Sequence, residues 1–187
     1  MIENVFNEIK SIMALFPSDY EENIENATRL IVDSYTEKGK ILCCGNGGSA
    51  ADAQHFVGEM IGRFNFDRDP LSAISLHADT SVITAIGNDY GFDEVFSRQI
   101  KGNANKQDVV IGFSTSGRSP NILKAFKMAK LIGCKTIGFV GKRTEYVHEL
   151  CDVVLYVPTD LTPRIQEFHT IFFHEICSRI ERRIFNK

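Results

Sequence analysis

The sequence predicts a three-layer α/β domain, with five parallel strands covered by helices and a helical extension at the N-terminus. Three observations carry that prediction. Short apolar runs alternate with helical patterns over most of the 187 residues. The runs are nearly continuous in apolar residues, as in strands buried on both faces. Polar segments rich in glycine or serine follow some of the runs where helices begin, at the end of a parallel sheet that faces a ligand crevice.

Residues 1–38 read as two helices. Ile2, Val5, Phe6, Ile9, Ile12 and Met13 recur at spacings of three and four, and so do Ile24, Ala27, Leu30, Ile31 and Ser34. The strands follow at KILCC (40–44), SAISL (72–76), DVVIGFS (108–114), KTIGFV (135–140) and DVVLYV (152–157). Ser49, with Asp52 three residues on, resembles a capping box that opens a helix over 50–61. Ser119-Pro120 sets an N-cap residue before a proline at the first helical position. Thr162-Pro163 repeats that arrangement and opens a last helix running to about Arg183. With no linker, repeat or low-complexity tract between these elements, 1–187 read as one domain.

Composition narrows the function. The chain is 43% hydrophobic and 24% charged, with a net charge of −3, as in an ordinary soluble globular protein. No Lys/Arg block stands out, which argues against a nucleic-acid partner held through phosphates. No apolar run reaches the roughly 20 residues of a membrane span. The opening MIENVFNEIK lacks a basic region followed by an apolar run, so a cytoplasmic location is expected. The cysteines at 43, 44, 134, 151 and 177 show no CxxC spacing. They read as buried small hydrophobes in a reducing compartment.

Three polar clusters are candidates for chemistry. GFSTSGRSPN (112–121) lies between a buried strand and a capped helix, and offers hydroxyls from Ser114, Thr115, Ser116 and Ser119. Gly117 there is free to take positive φ. Backbone N–H groups at such a helix start favour an anion, so the loop reads as a phosphate cradle. No GK[ST] follows, which argues against a nucleoside triphosphate. In the second cluster, Gly45, Gly47 and Gly48 leave room for a ligand beside the first strand, and Asn46 can donate and accept hydrogen bonds. The third, GNDYGFDEVFSRQ (87–99), reads as a tight loop in which Asp89 either binds sugar hydroxyls or serves as a turn residue.

His55 and Glu59 share one helical face. Gly58 beside them costs the helix about 1 kcal/mol relative to Ala, for which close approach of a ligand or another backbone is one reason. On the last helix Gln166 and His174 lie two turns apart, about 80° from one another, and lean toward one cleft. His169 is off that line and reads as structural. Two helices, each offering a histidine and an oxygen ligand, resemble a divalent metal site, with zinc the first candidate.

CGNGGSAADAQHFVGE, AIGNDYGF, STSGRSPN and RIQEFH together resemble the phosphoheptose isomerases of the sugar-isomerase (SIS) group, over nearly the whole chain after about residue 35. The resemblance implies a flavodoxin-like SIS fold and a homotetramer with active sites at subunit interfaces, the 1–38 extension serving oligomer packing. It implies conversion of D-sedoheptulose 7-phosphate to D-glycero-D-manno-heptose 7-phosphate, the first step of nucleotide-activated heptose synthesis for lipopolysaccharide or capsule. Matched by position, it implies phosphate binding by Ser114, Thr115, Ser116 and Ser119. Sugar contacts are implied for Asn46, Gly47, Gly48, Asn88, Asp89 and Gln166. One Zn²⁺ per subunit is implied, held by His55, Glu59, Gln166 and His174, with Glu59 and His174 as base and acid. The chain departs from the family pattern at Pro163, where a non-proline residue is usual, and at Gly58. The same fold also resembles a non-catalytic tetramer that associates with a replication initiator. That protein lacks counterparts of Glu59 and His174, so their presence here favours an enzyme.

Overall fold

A computed structural model describes residues 2–186. The element order is α1 (Ile2–Met13), α2 (Tyr20–Thr36), β1 (Ile41–Gly45), α3 (Gly48–Ile61), β2 (Ala73–Ser75), α4 (Thr80–Tyr90), a 3₁₀ turn (Phe92–Glu94), α5 (Ser97–Asn103), β3 (Val109–Ser114), α6 (Pro120–Ile132), β4 (Lys135–Val140), β5 (Val153–Tyr156) and α7 (Thr162–Phe185). The five strands are parallel, in the order β2-β1-β3-β4-β5. Every residue of β1 and β3 is buried. Their unbroken apolar runs therefore match a sheet covered on both faces.

Alternate strand residues supply two cores. On one face Ile41, Cys43, Val109, Ile111 and Phe113 pack with Ile24, Ile31, Phe56, Met60, Phe173 and Ile176 of α2, α3 and α7. On the other, Leu42, Cys44 and Val110 pack with Ile122, Phe126, Phe96 and Ile100 of α5, α6 and the segment before α5. Helix α2 is thus part of a sheet-covering layer. Helix α1 buries Ile12 and leaves Ile2, Phe6 and Met13 exposed. The cysteines are free, four of them buried, and burial raises the thiols, Cys44 to about 12 and Cys134 to about 11.

Strand order reverses at β1, with β2 on one side and β3 on the other. Helices α3 and α6, which follow β1 and β3, therefore lie on opposite faces. The carboxyl ends of these strands open a crevice between them, the usual ligand position in such sheets.

Three local expectations are corrected. The Ser49–Asp52 capping box does not form. Ala50 N–H already donates to the Gly47 carbonyl, so α3 starts at Gly48 with Gly47 as its N-cap, and Ser49 is buried within the helix. Thr162 is likewise inside α7, because Ile165 N–H donates to the Leu161 carbonyl and makes Leu161 the N-cap. Asn88 and Asp89 lie in the last turn of α4, not in a loop. That helix is capped by the Asp79 carboxylate, which accepts from Val82 N–H at 3.0 Å, and Ile83 and Ile86 anchor it on the second core.

Candidate active site

Helices α3 and α7 lie on the same face and bring His55, Glu59 and His174 together. Ala53, Phe56 and Met60 bury one side of α3, which turns His55 and Glu59 toward α7. On α7, Phe173 is buried and the adjacent His174 meets them. His55 Nε2 lies 3.1 Å from Glu59 Oε1 and 3.4 Å from His174 Nε2. One donor atom from each residue falls within 4.8 Å of the others, an arrangement that could hold a metal ion. His174 packs between two aromatic rings, with Phe64 stacked at 5.4 Å and Phe173 edge-on at 4.7 Å. Burial, followed by the nearby His55, lowers the His174 pKa, while Glu59 opposes them. These effects favour the neutral imidazole, the form that binds a metal.

Gln166, two turns before His174 on α7, reaches the start of α3. Its amide lies against Gly48, where any Cβ would collide with it. The close approach that glycine permits is thus at Gly48. At Gly58 no other atom of the chain lies within 4 Å of where a Cβ would stand. Asp52, also on α3, has a buried Oδ2 with no hydrogen-bond partner among the described residues. Burial pushes its carboxyl up to about 6, against the pull of His55.

The loop after β1 is tied to the start of α6. Asn46 and Asn121 exchange reciprocal amide hydrogen bonds of 2.9 Å across the crevice. Beyond them lies the hydroxyl-rich loop. Ser119 is the N-cap of α6, but its hydroxyl lies 3.1 Å from Ser114 Oγ instead of capping the helix. Ser116 Oγ accepts from Arg118 N–H at 3.3 Å. Gly117 takes φ +65° with the Arg143 carbonyl packed against it, a position closed to side chains. Thr115 and Ser116 also line a cleft of about 280 Å³ with Arg118, Arg143, Asp160 and Thr162. The sequence reading emphasised neutral donors, but arginines stand beside them.

Asn88 and Asp89 are exposed, and Asn88 Nδ2 donates to Asp89 Oδ1 at 2.8 Å. Helix α4 packs chiefly on the 3₁₀ turn that follows it, so this pair stands apart from the α3–α7 cluster in the single chain. His169 is structural as expected: it is fully buried, with Nε2 3.2 Å from the Val140 carbonyl, and burial brings its pKa down to about 4.

Sequence reasoning missed the support behind the cluster. Glu181 is fully buried and accepts from Phe64 N–H (2.9 Å), Asn65 N–H (2.8 Å) and Arg68 Nε (2.9 Å). Arg68 donates to the Glu59 and Met60 carbonyls at 2.7 Å, and to those of Gly62 and Asp69. Among the described residues, no helix is long and apolar enough to cross a membrane.

Comparison with known proteins identifies the family. The model of the SIS domain matches residues 5–141. The phosphoheptose isomerase of Geobacter sp. (strain M21) is 47% identical over 190 residues, covering 100% of this chain and 99% of that protein. That of Helicobacter pylori (strain P12) is 46% identical and covers 100% and 97%. Among solved structures, a phosphoheptose isomerase from Francisella tularensis superposes with a TM-score of 0.92 at 33% identity, over 97% of this chain and 96% of that one. Another from Neisseria gonorrhoeae gives 0.87 at 40% identity, over 96% of each. The chain belongs to the phosphoheptose isomerases of the SIS-domain family, aldose–ketose isomerases that act on sugar phosphates.

Proposed function

We propose that the chain converts D-sedoheptulose 7-phosphate to D-glycero-D-manno-heptose 7-phosphate through an enediolate, the first step of nucleotide-activated heptose synthesis. The observation that carries this reading is the meeting of a carboxylate and an imidazole from two helices, Glu59 and His174, at one point in the groove. Isomerisation moves a proton between C1 and C2 and shifts the carbonyl the other way. Glu59 takes the carbon-bound proton and returns it to the neighbouring carbon. His174 moves a proton between the two oxygens, O1 and O2. Ser114, Thr115, Ser116 and Ser119 hold the phosphate at the far end, so that C1–C2 lies beside Glu59, an orientation effect. Asn46, Gly47, Gly48 and Gln166 contact the sugar along the groove.

The donor set fits a zinc ion, one per subunit, which His55, Glu59, Gln166 and His174 would hold; metal-bound groups do not transfer protons freely, so Glu59 and His174 act as base and acid only where substrate displaces them from the ion. Two nitrogens at about 2.0–2.1 Å from a tetrahedral zinc stand about 3.3–3.4 Å apart, and the His55 and His174 Nε2 atoms are 3.4 Å apart. Bound zinc supplies Lewis-acid stabilisation of the oxyanion. In this reading the enzyme is a cytoplasmic homotetramer with its sites at subunit interfaces. The exposed Ile2, Phe6 and Met13 of α1 supply contact area between subunits. Asn88 and Asp89, apart from the cluster in one chain, complete the sugar site across an interface.

The test is incubation of the purified protein with sedoheptulose 7-phosphate, with and without a chelator, and with unphosphorylated sedoheptulose as control. The reading expects the phosphorylated heptose from the first substrate, loss of product with chelator, and little turnover of the control. No product from the phosphorylated ketose in zinc-supplemented buffer would contradict it.

A further inference from the structure

The loop between α3 and β2 does more than connect them. After Ile61 the chain turns through Gly62 and Arg63 and lays the Phe64 ring on His174, with the centroids 5.4 Å apart and the planes 30° from parallel. The backbone of the loop is fixed at that point. Phe64 N–H and Asn65 N–H both donate to the buried Glu181 carboxylate, one on each oxygen. Glu181 stands on α7 seven residues after His174, two helical turns along the same side. Arg68 closes the arrangement by bonding Glu181 and the carbonyls of Glu59 and Met60. The backbone carrying Glu59, the ring against His174 and the helix carrying His174 are therefore joined by one buried guanidinium–carboxylate pair. Its side chains are 1% and 0% exposed, so water does not loosen it.

A histidine on a helix keeps freedom about χ2, and the 3.4 Å contact of His174 Nε2 with His55 Nε2 does not by itself fix the ring plane. Phe64 covers one face, while Phe173 meets the ring edge-on. We propose that Phe64 is a positioning residue for His174. Its ring, held by Glu181 and Arg68, sets the plane of the imidazole, so that Nε2 stays turned toward His55 and the Glu59 cluster. This rests on the reading of His174 as the proton-transferring group, and it assigns that role a support no local motif announces.

The test compares the full-length wild type with Phe64→Leu and Phe64→Tyr. Stacking displaces the His174 ring-proton resonances upfield, and a His174→Gln variant identifies them. The proposal expects Phe64→Leu to move those resonances back and to lower kcat about tenfold while KM stays within twofold. It expects Phe64→Tyr, which keeps the ring, to restore both. Unchanged His174 resonances or unchanged kcat in Phe64→Leu would overturn it, as would a rise in KM alone. If Phe64→Leu does not fold, the Tyr variant decides the matter: it must keep the wild-type shift and kcat. A wild type inactive on sedoheptulose 7-phosphate would sink the substrate reading instead, and the resonances would still report the stacking.

Discussion

Helices α3 and α7 and the loop between α3 and β2 carry two ionisable clusters that differ in one respect. In the first, Arg68 and Glu181 are 1% and 0% exposed, and every contact a guanidinium and a carboxylate need is supplied by loop amides and helix carbonyls. In the second, His55 and Glu59 are 47% and 23% exposed. Two imidazole nitrogens there face one another, and the nearby Asp52 keeps a buried oxygen without a partner among the described residues. A buried charge persists only when paired and hydrogen-bonded, so the first cluster holds structure. Donor atoms from two helices that converge where solvent still reaches them are open to something from outside, so the second reads as the site. Ionisable residues alone do not separate the two; exposure and the convergence of donor atoms do.

The largest expected effect separates the clusters by what they lose. His174→Gln should lower kcat by about 10²–10⁴-fold, the usual contribution of a general acid–base group, and leave the melting temperature nearly unchanged. A variant with full turnover would place the acid elsewhere. Glu181→Gln should do the reverse in stability, costing about 3–5 kcal/mol in a urea titration because Arg68 is left buried without its counter-charge. A cost below 1 kcal/mol would show that water reaches the pair.

Five residues before His174 on the same helix, His169 sharpens the contrast through pH. Folding holds its pKa near 4 against an ordinary 6.5. As pH falls, the unfolded chain takes up this proton first. The stabilisation is therefore complete above about pH 6.5 and is lost between there and pH 4, by about 3 kcal/mol. His169→Gln should flatten that part of the stability profile, and an unchanged slope would contradict the assignment. The smallest effect concerns the cradle. Ser116→Ala should raise KM for the phosphorylated ketose about tenfold with kcat little changed, as for one lost hydrogen bond to a charged group.

Much of this was legible in the sequence, for physical reasons. A strand buried on both faces must be apolar throughout, so β1, β3 and β4 stand out as runs. A helix sets residues four apart on one face, so His55 and Glu59 declare themselves locally. Gln166 and His174, two turns apart and about 80° from one another, are less plainly aligned. The Arg68–Glu181 pair was not legible, since 113 positions separate its members and neither sits in a recognisable spacing. Asn88 and Asp89 read as loop residues because glycines flank them at 87 and 91, yet packing of Ile83 and Ile86 carries α4 through Gly87. Ser49 and Thr162 misled because cap-forming side chains occur inside the first turn as well as before it. In both helices the actual N-cap, Gly47 or Leu161, makes no side-chain cap bond.

The central claim, that the exposed His55–Glu59–His174 cluster moves a carbon-bound proton, is tested most directly in deuterated water. Wild type and Glu59→Gln are each incubated with sedoheptulose 7-phosphate, and the sugar is followed by NMR. The account predicts that wild type yields heptose phosphate carrying solvent deuterium at C2, while the folded Glu59→Gln protein yields neither product nor exchanged ketose. Deuterium entering at a near wild-type rate in Glu59→Gln would contradict it.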